Sequence, residues 1–147
     1  MAVVVGVDGS PKSHAAIRVG LQEARYRGVP LLAVMAYDRD TVRSAPAVRP
    51  VSTISTPAEL GAVTGATLRQ VVLDALGEMP PDVQLRAIQG MPGHALIEVA
   101  QKEHAQLVVI AARRDGAVSR LLGQVSQYVL RNAPCPVLVV PAGDSGS

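Results

Sequence analysis

The sequence predicts an α/β fold: an open, doubly wound sheet of five parallel strands in the order 3-2-1-4-5, with helices on both faces. Three observations lead there. Valine-rich apolar runs at residues 2–7 (AVVVGV), 31–37 (LLAVMAY) and 107–112 (LVVIAA) suit strands covered on both faces. Segments with helical spacing alternate with strand-like runs along the chain. Glycine or proline punctuates most of the junctions.

In chain order, the first unit reads as strand, short loop, helix and strand. Residues 2–7 end at Asp8, Gly9 and Ser10. Ser10 is a natural N-cap, and Pro11 a natural first helical residue because the N–H it lacks would be unpaired there anyway. Ala16, Ile17, Gly20, Leu21 and Ala24 recur at helical spacing, and Gly28 is placed to end the helix. With residues 31–37 as the second strand, the crossover is expected to be right-handed. Residues 39–57 mix prolines with Ser, Thr and Arg without sustained periodicity and read as a long exposed loop. Leu68, Val71, Val72, Ala75 and Leu76 mark a helix over residues 67–79, with a start reaching back towards Ala58 and a stop at Pro80 and Pro81. Val83, Leu85 and Ala87 alternate with polar residues, as in a strand near a sheet edge. A turn over residues 90–93 leads to a helix over 94–104 with Leu96, Val99 and Ala100 on one side. After the strand at 107–112 come a loop over 113–119, a helix over roughly 123–131 and a last strand at 137–140. Residues 142–147 are small and polar, and a disordered tail is expected.

A chain of 147 residues, 48% of them hydrophobic, supplies one core and needs no second domain. Tyrosines are the only aromatic residues, so that core is built from Val, Leu, Ile, Ala and Met. Lys and Arg number 14 against 12 Asp and Glu; with the arginines scattered, a net charge of +2 does not point to nucleic acid. The single cysteine, Cys135, excludes an intrachain disulfide and a cysteine-cluster metal site and reads as a buried, inert thiol. His14, His94 and His104 form no metal-ligand spacing with a carboxylate cluster and read as surface residues. No apolar run approaches the ~20 residues of a membrane span, and the start lacks the pattern of a secretory leader, so a cytoplasmic protein without a membrane partner is expected. A P-loop lysine motif, a dinucleotide-binding triple glycine and a nucleophile elbow are all absent. Ser10 and Ser126 have no evident activating base, so nothing points to catalysis.

The opening VVVGVDGSPKSHAAI, the turn Gly90-Met91-Pro92 and the closing SRLLGQVSQYVLRNAPCPVLVV together resemble the single-domain universal stress protein family. The matched pieces cover most of the chain outside residues 39–66, and the implied domain is residues 1–141. Typical members of that family bind ATP between the opening and closing segments. The resemblance implies that Asp8 and the backbone near Val7 and Ala36 hold adenosine, while Ala111, Ala112, Arg113 and Arg114, with Gly123, Gln124, Val125 and Ser126, meet the phosphates. It also implies a homodimer through the last strand, Val137, Leu138, Val139 and Val140. On the residues alone, Asp8 also fits a simple Asx-turn or helix cap.

The departures from the family pattern fall on the phosphate side. ATP-binding members place glycine where this chain has Ala111 and Arg114, and Ser or Thr where it has Gln124 after Gly123; the interval from Ala111 to Gly123 is one residue shorter. A Cβ crowds backbone amides that must approach phosphate. Losing a compact hydroxyl at 124 removes ~1–3 kcal/mol if a phosphate oxygen is left unpaired, roughly one to two decades of affinity. Arg113, Arg114 and Arg120 could restore positive charge. The expected protein is a regulatory or binding module that takes ATP or another adenine nucleotide weakly. The alternatives are a member acting only through protein partners and, least favoured, a slow nucleotide hydrolase.

Overall fold

The computed structural model describes residues 1–38, 56–112 and 123–141. The loop expected over 39–57 falls almost entirely outside them, as do Arg113, Arg114, Arg120 and the tail at 142–147. The strands are β1 (Ala2–Gly6), β2 (Leu31–Tyr37), β3 (Val83–Gln89), β4 (Ala105–Ala112) and β5 (Val137–Pro141). They are joined by α1 (His14–Arg27), α2 (Pro57–Leu76), α3 (Pro92–Lys102) and α4 (Gln124–Asn132). All four pairings are parallel, and the order is β3-β2-β1-β4-β5, as the sequence predicts.

The period-two pattern of the strands sorts the core into two layers. Val3, Val5, Val7, Leu31, Ala33, Met35, Leu107 and Val109 face α1 and α2, meeting Ile17, Leu21, Leu68 and Val72. Val4, Leu32, Val34, Val108 and Ile110 face α3 and α4, meeting Leu96, Ile97, Ala100 and Val129. Val3, Val4 and Val5 retain no exposed surface, and each valine so buried contributes ~1.5–3 kcal/mol. This double covering is why β1 reads as a continuous apolar run and not as an alternation.

Several boundaries differ from the sequence expectation, each for a local reason. Proline and serine after β1 form a separate 3-10 turn, Pro11–Ser13, before α1 begins at His14. Helix α2 starts well before Thr67: Thr56 accepts a hydrogen bond from the Glu59 N–H at 3.1 Å, and Pro57 occupies the first helical position. Helix α3 starts at Pro92, again with proline in the first helical position though without a side-chain cap, which places Gly93 inside the helix and not in a turn. β1 closes at Gly6, although the Val7 N–H still bonds to the Val34 carbonyl at 2.9 Å. β4 starts at Ala105, and its pairing with β1 slips between Ala2 and Val3.

Candidate functional site

The first two crossovers cover one face of the sheet and the last two cover the other. The connections therefore diverge between β1 and β4, leaving a crevice outside their carboxyl ends where ligands of open α/β sheets gather. Gly6 pairs with Val34 and Val5 with Val109. Carrying that register forward sets Asp8 level with Ala36 on one side and Ala112 on the other. Ala36 in turn pairs with Ile88, and Ala112 with Pro141. Asp8, Ala36 and Ala112 thus share one row at the carboxyl edge, with Val7 and Ala111 in the row behind.

Asp8 is exposed and fixed. Its Oδ1 accepts three hydrogen bonds: from the Ser10 N–H at 2.9 Å, the Ser10 hydroxyl at 2.7 Å and the Ser13 hydroxyl at 2.9 Å. The Asp8 N–H donates to Ser13 Oγ at 3.2 Å. Oδ2 has no partner among the described residues. Asp8 therefore does form the Asx-turn, but with one oxygen only, and the other stays available as an acceptor. Gly9, at φ +85°, makes the turn that lets the Ser10 groups face back onto Asp8; a Cβ there would sit 2.8 Å from Met35 Cε.

Ser13 is the member of this cluster that the sequence reading missed. It is 1% exposed and stands four residues before Ile17, on the inward stripe of Ile17, Gly20, Leu21 and Ala24. A hydroxyl on an otherwise apolar or glycine stripe is the signal that could have found it. Left unpaired, such a group costs about 1–3 kcal/mol, so its position requires a partner, and Asp8 is that partner twice over.

On the phosphate side, Ala112 is buried, Ala111 is half-buried, and α4 begins at Gln124 with Gly123 as N-cap. The Gln127 N–H makes the first helical bond, to the Gly123 carbonyl at 3.0 Å. The N–H groups of Gln124, Val125 and Ser126 therefore lie in the unpaired first turn, where the helix dipole favours an anion. Gly123 has an ordinary φ of −78°, and a Cβ there would meet nothing within 4 Å among the described residues. Neither its conformation nor its packing among the described residues demands glycine at that position. Gln124 and Val125 are exposed; Ser126 is 7% exposed, one turn before the fully buried Val129.

Elsewhere, His94 is exposed as expected, with its ring 4.3 Å from that of Tyr128, a contact between α3 and α4. Cys135 is half-buried, and burial pushes its thiol pKa up, which lowers the thiolate fraction. Arg25 and Asp82 form a two-bond pair at 2.9 and 3.3 Å; the guanidinium's hydrogen bonds hold the Asp82 carboxyl below its ordinary range. Among the described residues, no group of three His, Cys, Asp or Glu could hold a metal ion, and no helix is long and apolar enough to cross a membrane.

The doubly wound sheet with its switch point at β1 and β4 defines the class: an open α/β protein whose site lies in the loops of the carboxyl edge. A profile of the universal stress protein family matches residues 1–141, and the chain belongs to that family. It is 32% identical over 146 residues to a universal stress protein of Thermus aquaticus, covering 94% of this chain and 96% of that one. A universal stress protein of Mycobacterium tuberculosis is 31% identical over 145 residues, 97% of this chain but 48% of its own length. The chain thus spans about half the length of the mycobacterial relatives it matches. Among solved structures, a universal stress protein in complex with cAMP has a TM-score of 0.65 and 26% identity over 97% of this chain and 98% of its own. The protein UspA of Lactobacillus plantarum has a TM-score of 0.67 at 21% identity over 95% and 97% of the two chains.

Proposed function

We propose that the crevice between β1 and β4 binds the adenosine part of an adenine nucleotide, and that the protein is a regulatory binding module. The observation that carries this reading is the half-satisfied Asp8 carboxylate: Oδ1 is held by three donors, while Oδ2 faces no partner among the described residues, at the edge where the sheet opens. A nucleoside hydroxyl or amino group supplies the missing donor. The cAMP complex of a relative at 26% identity supports the same ligand class. A ligand with one phosphate also suits the other half of the crevice, where Ala111, Arg114 and Gln124 replace the glycines and hydroxyl that cradle a triphosphate in ATP-binding relatives. The first-turn amides of α4 then meet that single phosphate.

Calorimetric titration with adenosine, AMP, cAMP and ATP tests this on wild type and Asp8→Ala. The expected result is that ATP binds no more tightly than AMP, and that Asp8→Ala weakens every ligand by about tenfold or more, since a charge-assisted hydrogen bond contributes ~1.5–3 kcal/mol. Raising the salt should weaken ATP and leave adenosine nearly unchanged. Tight ATP binding that survives Asp8→Ala would overturn the reading.

The cytoplasmic setting expected from the sequence is part of the same proposal, and so is a homodimer through β5. Val137 and Val139 pack onto one face of the sheet and Leu138 and Val140 onto the other, which leaves the backbone edge of β5 open to a second copy. The opposite edge, β3, is blunted by Arg86, which pairs with Gln84 at 3.0 Å and Glu103 at 3.7 Å.

A further inference from the structure

We infer that Ser13 is a positioning residue for the nucleotide site, holding the Asp8 carboxylate so that Oδ2 alone is presented to the ligand. This rests on the adenosine reading above and names the side chain that makes it work. Ser10 has the extended backbone of an N-cap and its hydroxyl accepts from the Lys12 N–H at 3.3 Å. Ser13 closes the 3-10 turn with helical φ −77° and ψ −14°, and its hydroxyl, which makes no capping bond, goes to Asp8 instead. It accepts from the Asp8 N–H at 3.2 Å and donates to Asp8 Oδ1 at 2.9 Å, closing a reciprocal pair across the end of β1.

Burial makes this pair different from the Ser10 contacts. Ser10 is half-buried in the turn just after Asp8, whereas Ser13 is fixed against the sheet at 1% exposure. An aspartate samples staggered χ1 wells and a soft terminal torsion, so an untethered carboxylate would be spread over several positions. Moving to another χ1 well breaks the bond from the buried Ser13 hydroxyl. The ligand then meets an acceptor already in place and does not have to order it on binding.

Adenosine titrations on wild type, Ser13→Ala, Asp8→Asn and the double variant test the inference, together with NMR couplings that report the Asp8 side-chain rotamer without ligand. Asp8→Asn keeps an oxygen for the serine donors and turns the crevice-facing atom from acceptor into donor. Ser13→Ala should weaken adenosine about three- to tenfold, the effect of one ordinary hydrogen bond. It should have no further effect once Asp8 is Asn, and it should convert one Asp8 rotamer into several. A serine that merely supports the fold would weaken binding equally in both backgrounds, and that result overturns the inference, as does a single Asp8 rotamer in Ser13→Ala. If wild type binds no adenosine, the nucleotide reading fails separately, and the rotamer couplings still decide whether Ser13 positions Asp8. Should Ser13→Ala not fold, Ser13→Cys, which keeps a weaker donor at the same place, is expected to give an intermediate loss and intermediate averaging; a wild-type affinity and rotamer there would overturn the inference.

Discussion

Replacing Gly9 by alanine should destabilise the protein by about 2 kcal/mol, and the terms can be set out separately. A non-glycine residue at φ +85° costs ~1–2 kcal/mol. The new Cβ would stand 2.8 Å from Met35 Cε and 3.8 Å from Thr67 Cγ2. The methionine methyl is the far end of a flexible chain, so it turns aside for ~0.5–1.5 kcal/mol of rotamer strain. Against these, alanine restricts the unfolded chain and returns ~0.4–1 kcal/mol. The net loss should lower the melting temperature by roughly 4–8 °C in a domain of this size. Gly28→Ala is the control: φ is +66° there, but a Cβ meets nothing within 4 Å, so only the backbone term applies and a loss of about 1 kcal/mol or less is expected. Urea unfolding of the two variants side by side isolates the Met35 contact. A Gly9→Ala protein as stable as Gly28→Ala would refute that contact. Because the Ser10 N–H bond to Asp8 spans Gly9, Gly9→Ala should also weaken adenosine, whereas Gly28→Ala should not.

Three further outcomes are expected. Val139→Asp, which sets a charge on the open edge strand, should shift sedimentation from dimer towards monomer; a wild type that is already monomeric would contradict the β5 interface. Asp82→Asn should remove a small, salt-screened contribution to stability. Since Arg25 lowers the folded Asp82 pKa from its ordinary 3.8, that contribution is present above the ordinary value and is lost as pH falls through the folded one. The gap between wild type and Asp82→Asn should therefore close between pH ~5 and ~2, and a gap that widens on acidification would reverse the assignment. Gln124→Ser places a compact hydroxyl at the first position of α4 and should raise ATP affinity by up to about tenfold with adenosine unchanged; equal gains for both ligands would show that 124 does not face the phosphates.

The fold was legible because burial leaves a strong mark on composition. β1, β2 and β4 are covered on both faces and read as apolar runs, while β3 alternates because it lies at an edge. Helix starts were harder to place: Pro57 and Pro92 open their helices, and proline read from sequence suggests a break as readily as a first turn. Asp8 was legible as a candidate, since a carboxylate after a buried strand sits at the carboxyl edge whatever follows. Its geometry was not, because that depends on Ser13, whose distance from Asp8 is set by a 3-10 turn that the expected continuous helix from Pro11 does not contain.

In the proposed site the two halves of the crevice rest on different physical devices, which explains how one can depart from the family pattern while the other keeps it. The adenosine half depends on a side-chain lattice, Asp8 with Ser10 and Ser13, tied to the buried end of β1 and the inward stripe of α1. Changing it disturbs the core, so it is bound to the stability of the fold. The phosphate half depends on backbone amides, and what admits a phosphate to them is the absence of Cβ atoms and the length of a loop. At the helix end of this half the described residues are free of the core: Gly123 packs against nothing within 4 Å among the described residues, and Gln124 and Val125 are exposed. If the crevice takes an adenine nucleotide as proposed, substitutions at that helix end should change the preferred number of phosphates at little expense to folding, and the nucleoside is then specified by the part of the site the fold cannot easily give up.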